Sequence, residues 1–296
     1  EIGTDGEYEE DGTVAEGQKK GVLITSSDQY INPEENGRIS LTAGIYGGGN
    51  AADVDGDVTV KIGTAHQSLG INIEGDIFGG GYGEKTTVTG DVTVNIGNRT
   101  GSEEDGYSYE GYANITGDVY GGSAKGKVNA TKDNDWDDEH LDKVSATTGK
   151  TTVVNFYGGT IQDTDPGTNK GNIYGGGLGV TNSYAADVYG PVTVTMGSGN
   201  VNNVFGCNNY NGTSKNSVTV NINGGNVNHN VYGGGNQAAY TPTESNINYP
   251  AVNINNGTVT ENVFGGGLGS TATVIANPQV TIGDDAEAHT AAVRGS

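Results

Sequence analysis

Val218-Thr219-Val220-Asn221-Ile222, followed shortly by Val231-Tyr232-Gly233-Gly234-Gly235, is the stretch on which the fold turns. In its first part aliphatic and polar residues alternate with a period of two, the pattern of a strand with one buried face. Its second part sets an aliphatic residue beside an aromatic one and closes on glycines. Both parts recur. The alternating segment returns at Val58–Ile62, Val92–Ile96, Thr152–Phe156, Val192–Met196, 250–254 and 278–282. The aromatic segment returns at Ile45-Tyr46, Ile77-Phe78, Val119-Tyr120, Ile173-Tyr174, Val204-Phe205 and Val263-Phe264, each followed by glycine. The two kinds alternate along the chain.

Successive aromatics of this set stand 32, 42, 54, 31, 27 and 32 residues apart. A floor near 27 with variable excess describes a fixed unit that carries insertions. One unit holds too little apolar surface to fold alone, so neighbouring units must stack. A β-propeller blade needs four strands, and 27 residues are too few for them and their turns. The expected architecture is therefore an all-β solenoid of about seven coils, with the residues at strand positions one, three and five facing inward. Glycine serves it in two ways, by turning corners at positive φ and by letting backbones stack at about 4.8 Å. The aromatics should stack as a ladder, serving stability or forming a platform for sugars.

Composition agrees. Among 296 residues there are 53 glycines and 33 asparagines but only six leucines, which excludes helical bundles. The glycines cluster instead of falling at every third position, which excludes collagen. No stretch approaches the roughly 18–20 apolar residues of a membrane-spanning helix, so membrane insertion is not expected. With 36 acidic and 14 basic side chains the formal charge is −22, so nucleic acid is not an expected partner. The single cysteine, Cys207, excludes an internal disulfide. Residues 1–20 read as a flexible acidic lead-in, 21–282 as one solenoid domain and 283–296 as a tail or linker. Within the domain, 21–41 are expected to form a cap or first coil. The chain opens on Glu1 without a signal peptide, as a mature or excised segment would.

Tandem units reading V-T-V-N-I and then V-Y-G-G-G resemble the β-helical repeat regions of large bacterial cell-surface proteins and adhesins. The resemblance spans about residues 39 to 282. It implies a right-handed parallel β-helix at the bacterial cell surface, outside the cell, and it transfers no catalytic residue. Cys207-Asn208, standing in place of two glycines, and the long insertion before Tyr174 depart from the pattern and mark expected irregularities.

The outward strand positions run Thr59, Thr93, Val153, Thr193, Thr219, Ala251, Gln279 and Lys61, Asn95, Asn155, Thr195, Asn221, Asn253, Thr281. They include no carboxylate and one base. General acid–base chemistry on a sugar needs clustered carboxylates, so the regular face is not expected to be catalytic. The expected function is a non-catalytic adhesin or stalk that presents loops to a host or environmental glycan or protein. The alternative is a carbohydrate-active enzyme, a polysaccharide lyase or hydrolase, with its site in the insertions.

Insertions on a rigid scaffold are where binding concentrates. Asp133, Asp135, Asp137 and Glu139 alternate in the longest one, a spacing that lets a curling loop direct oxygens at a hard cation such as calcium. The glycine and distal glutamate of an EF-hand are missing there. Asp53, Asp55 and Asp57 form a second calcium candidate. No cofactor is required, and calcium is the one that fits these loops. For a glycan or protein the candidates are Glu103, Glu104, Tyr107, Tyr109 and Tyr112 in the insertion 98–113, with Trp136 in the insertion 123–150. Solvated acidic turns and a hydrated loop are the plain alternatives.

Overall fold

The computed structural model describes residues 39–63, 71–102, 104–163, 165, 169–244, 246–283 and 290–295. The acidic lead-in, most of the expected cap, Glu103 and the greater part of the tail lie outside the described residues. Those described form strands and no helix. The alternating segments Val58–Ile62, Val92–Ile96, Thr152–Phe156, Val192–Met196, Val218–Val227, Ala251–Val259 and Gln279–Ile282 pair in parallel, each with its counterpart in the next repeat. A second row begins at Ile39–Leu41 and Ile71–Ile73 and runs through Ala113–Ile115, Thr160–Ile161 and Asn200–Val201. The two rows are one thirteen-stranded sheet. Val218–Val227 is long enough to belong to both, pairing with Val192–Met196 at its start and Asn200–Val201 at its end. The aromatic segments form a third row, a seven-stranded parallel sheet in sequence order.

Alternation decides what is buried. In Val92–Ile96, Thr152–Phe156 and Val192–Met196 the odd positions are buried and the even ones partly exposed. Inward aliphatics of all three rows meet in a continuous core that includes Ile73, Val94, Ile115, Ile173, Val220 and Ile254, while the first inward valines, Val58, Val92, Val192 and Val218, pack in a second cluster with Val128, Val188 and Tyr240. Register places Thr59, Thr93, Val153, Thr193, Thr219, Ala251 and Gln279 in one outward file, as the sequence implied. In the neighbouring file, Asn155 donates to Asn95 at 2.8 Å and Asn253 to Asn221 at 2.9 Å. These amides are bonded to their own kind along the stack.

Three expectations need correction. The strands expected over 250–254 and 278–282 begin at Ala251 and Gln279 instead, because Pro250 and Pro278 have no N–H to give the ladder. Val280 and Ile282 face inward in register but are 45% and 51% exposed, since no further strand covers them among the described residues. Glycine serves in both of the expected ways but at different places, and after the aromatics positive φ is not the reason. None of Gly121, Gly175 and Gly206 has it, and what they need is space: a Cβ on each would stand 2.3 Å from the next repeat's glycine carbonyl oxygen. Positive φ falls at the corner between the first two rows, as at Gly225 (φ 83°). Finally, Cys207-Asn208 causes no break. Val204–Phe205 stays in register with both neighbours, the thiol is buried, and that burial pushes it up to about 12. The register shift in the long sheet lies instead at Asn223.

The expected ladder is present. Tyr46, Phe78, Tyr120, Tyr174, Phe205, Tyr232 and Phe264 stack at centroid distances of 4.7–5.0 Å, with planes within 11°. Interior rings are closed off on both faces, so they offer no platform; only Tyr46 and Phe264, at 39% and 42% exposure, end the stack.

The residue before four of the aromatic segments, Asp76, Asp118, Asn203 or Asn230, caps the next repeat. Asp76 Oδ1 accepts from Asp118 N at 3.0 Å, Asp118 Oδ1 from Asn172 N at 3.0 Å, and Asn230 Oδ1 from Asn262 N at 3.0 Å. Asp118 is the strained member. Burial, reinforced by the charge of Asp76, lifts it to about 6 despite the hydrogen bonds from Asn172. The folded state thus holds this proton more tightly than the unfolded chain, whose aspartates titrate at about 3.9. Its contribution to stability is fullest below that value and is lost as pH rises to about 6. Asp118→Asn, the residue found at positions 172, 203, 230 and 262, is expected to stabilise the protein at pH 7 by about 1–3 kcal/mol. The gain should vanish at pH 4. Thermal melts of both proteins at the two pH values test this, and an equal difference at both would refute it.

Candidate functional site

Two antiparallel hairpins leave the parallel rows. Asn98–Ser102 pairs with Gly106–Glu110, and Ala130–Lys132 with Val144–Ala146. The insertions are therefore narrower than 98–113 and 123–150, because Ala113–Ile115 and Lys127–Val128 belong to the parallel pairing. In the first hairpin the turn is closed by Ser102 and Asp105: Asp105 N donates to Ser102 Oγ at 3.1 Å and that hydroxyl donates to Asp105 Oδ2 at 2.9 Å.

Tyr107 and Tyr109, two apart on one strand, share a face of this hairpin. Tyr109 lies on the flank of the stack, where its ring covers Gly197 so closely that a Cβ there would come within 2.4 Å of it. The ring stacks on Tyr157 at 5.8 Å. Arg99 is the cross-strand partner of Tyr109, and its guanidinium sits 4.4 Å above Tyr107 and 5.3 Å from Tyr157. Burial raises the Tyr109 and Tyr157 phenols above their ordinary value, so both stay neutral donors at physiological pH. The cluster presents aromatic faces, phenol groups and a held cation on a rigid support. Of the sequence candidates, the structure brings Tyr107 and Tyr109 together and leaves Tyr112 apart, its hydroxyl donating to Glu110. Glu104 is exposed. Arg99 lies inside the insertion 98–113 but was not among its sequence candidates, because the hairpin that sets it opposite Tyr109 was not read; Tyr157 comes from another repeat and carried no local signal.

The second hairpin disperses its acids. Asp137 Oδ1 accepts from the backbone N–H groups of Glu139 and His140, and lies 2.8 Å from His140 Nδ1. Asp135 lies 3.6 Å from Lys143, while Asp133 bonds through its backbone to Lys143. Trp136 carries Lys132 Nζ over its ring at 3.7 Å.

Asp53, Asp55 and Asp57 act as caps between repeats. Asp53 Oδ1 accepts from Thr87 N and Oγ1, Asp55 from Thr89 Oγ1, and Asp57 from Asp91 N. Lysines supply the positive charge. Lys132 reaches Asp53 at 2.8 Å, and Lys150 bridges Asp57 at 2.8 Å and Asp91 at 3.1 Å. Burial works against the Asp53 carboxylate, but hydrogen bonds from Lys132 and Thr87 outweigh it and hold the acid below its usual range. Among the described residues no three His, Cys, Asp or Glu side chains are grouped to hold a metal ion.

A shallow groove of about 220 Å³ also runs beside the aromatic ladder, lined by Asn172, Asn203, His229 and Leu268 among others. Its amides are engaged along the cap file, Asn203 Nδ2 donating to Asn172 Oδ1 at 2.8 Å. Comparison with family models, curated proteins and solved structures finds no match to this chain.

Proposed function

We propose that this chain is a non-catalytic segment of a large bacterial cell-surface protein, acting outside the cell as a β-helical stalk or adhesin. In this reading the parallel rows form a right-handed parallel β-helix of about seven coils, and its hairpins meet a glycan or protein ligand. One observation carries the reading. Repeated polar positions bond from repeat to repeat, as in the Asn95–Asn155 and Asn221–Asn253 pairs and the Asp53 and Asp57 caps, and so serve the scaffold. What departs from the repeat is a hairpin that sets exposed Arg99 and Tyr107 beside Tyr109 on the flank.

Replacing 99–109 and 133–143 by short Gly-Ser links tests this. Far-UV circular dichroism should be unchanged, and binding in a glycan and matrix-protein array should fall at least tenfold. Binding that survives would remove the hairpins from the proposal, and release of reducing ends from a polysaccharide would replace it by the enzymatic reading. No cofactor is needed in this proposal, so melting should be the same in EDTA and in millimolar calcium. A rise in calcium that disappears when Asp133, Asp135 and Asp137 become Asn would place an ion in the second hairpin.

A further inference from the structure

Pairing in the first hairpin sets Arg99 opposite Tyr109 and Gly101 opposite Tyr107. Directly opposed residues share a side of a β-ribbon, and so do residues two apart on one strand. Arg99, Gly101, Tyr107 and Tyr109 therefore lie on one face, and Asn98, Thr100, Ser108 and Glu110 on the other. Because residue 101 is glycine, no side chain stands opposite Tyr107, whose ring is 41% exposed. The rod anchors this face. Tyr157 N donates to Ile96 O at 2.7 Å, Tyr109 stacks on the Tyr157 ring, and Tyr107 lies 6.4 Å from Tyr109.

Arg99 is exposed, and its guanidinium is held by the Tyr107 and Tyr157 rings. Rings steady the cation but give its N–H groups no oxygen to bond. Among the described residues those groups have no hydrogen-bond partner and no ion pair. The hairpin's described carboxylates are turned elsewhere. Glu110 lies on the opposite face and accepts from Tyr112, and Asp105 accepts from Ser102 at the turn.

An unused guanidinium fork is matched by a planar anion with two oxygens, a carboxylate above all. The tyrosine rings suit the apolar face of a sugar, and the neutral phenols of Tyr109 and Tyr157 suit its hydroxyls. Net charge sets how many carboxylates the ligand can carry. A chain at −22 repels a polymer with an acid on every sugar, whereas one acidic sugar on a neutral glycan brings one charge to one cation. Resting on the reading that the first hairpin meets the ligand, we propose that this face binds a glycan ending in a single carboxylate-bearing sugar, such as a uronic acid. Arg99 takes the carboxylate and Tyr107 the sugar ring.

Calorimetric titration with a glucuronate-terminated trisaccharide, and with the same compound reduced at its carboxyl to the glucose form, is the test. The acid form should bind about tenfold or more tightly than the reduced one. Arg99→Gln should bring the two forms level with circular dichroism unchanged, and Arg99→Lys, which keeps the charge but not the fork, should restore only part of the preference. Tyr107→Ala should weaken both forms by a similar factor. Removing acids of the turn, by Glu103→Gln with Glu104→Gln, should strengthen binding of the acid form. Equal affinity for both forms, lost on Tyr107→Ala, would overturn the acidic ligand and leave the hairpin as the binding element. Acid-form binding indifferent to both Arg99→Gln and Tyr107→Ala would remove the hairpin as well. Binding of neither form, weaker binding after the Glu103 and Glu104 changes, or tighter binding of a short glutamate peptide with the same dependence on Arg99 would each overturn the proposal.

Discussion

Val220→Asp is expected to abolish the cooperative thermal transition, while Thr219→Asp, one residue away, leaves it within a few degrees of the parent. Val220 is 0% exposed and sits between Val194 and Val252 of the adjoining repeats, in the continuous aliphatic core. A carboxylate there meets neither water nor a donor. Burying one without a partner costs about 4 kcal/mol or more, a large share of the stability of an ordinary domain. The neighbouring rungs lose their packing as well, since each repeat is held mainly by the ones beside it. Thr219 points the other way, between Thr193 and Ala251 on the outward file, and its replacement should cost about 1 kcal/mol or less. Circular dichroism melts of the two variants decide the matter. Equal melting would mean that the strand is turned over, because a slip of one residue exchanges its faces.

The second large effect concerns glycine. Gly234 and Gly266 occupy the same place in successive repeats, and neither has positive φ. A Cβ on Gly234 would come within 2.7 Å of Gly267 N and 2.9 Å of Gly267 Cα, backbone atoms that cannot swing aside. One on Gly266 would meet nothing within 4 Å. Gly234→Ala is therefore expected to destabilise by about 2–3 kcal/mol, and Gly266→Ala to stay within about 0.5 kcal/mol. Urea unfolding of both variants measures the difference. A similar loss at both positions would show that conformation, and not stacking distance, makes glycine necessary there.

Most of the scaffold was legible because its signal repeats. Period-two alternation placed Val58, Val60 and Ile62 inward, and the spacing of Tyr120, Tyr174 and Phe205 placed them in one ladder. What escaped depended on atoms from distant repeats. Asp57 read as part of a calcium loop, and only the stacking of units 34 residues apart turns it into a cap for Asp91 N. Lys150 completes that corner from 93 residues away. The hairpins escaped for another reason: their antiparallel pairing is local and lacks the repeat that made the rest visible. The ring platform was a fair expectation from composition, but a ladder spaced at 4.7–5.0 Å leaves no room between its rings for a sugar.

The uneven spacing of the aromatic rungs bears on how the chain folds. Bringing Phe205 against Tyr232 closes a loop of 27 residues, whereas Tyr120 against Tyr174 closes one of 54. Doubling a loop raises its closure entropy by only about 0.6 kcal/mol, but before any rung exists that difference selects the starting point. The short-looped repeats around Phe205 and Tyr232 are then expected to nucleate first. Val218–Val227, which spans two rows in one unbroken strand, gives that nucleus a corner already turned. From there each added rung finds a preformed edge, and folding spreads along the axis in both directions until it meets the hairpin-bearing repeats, which join last.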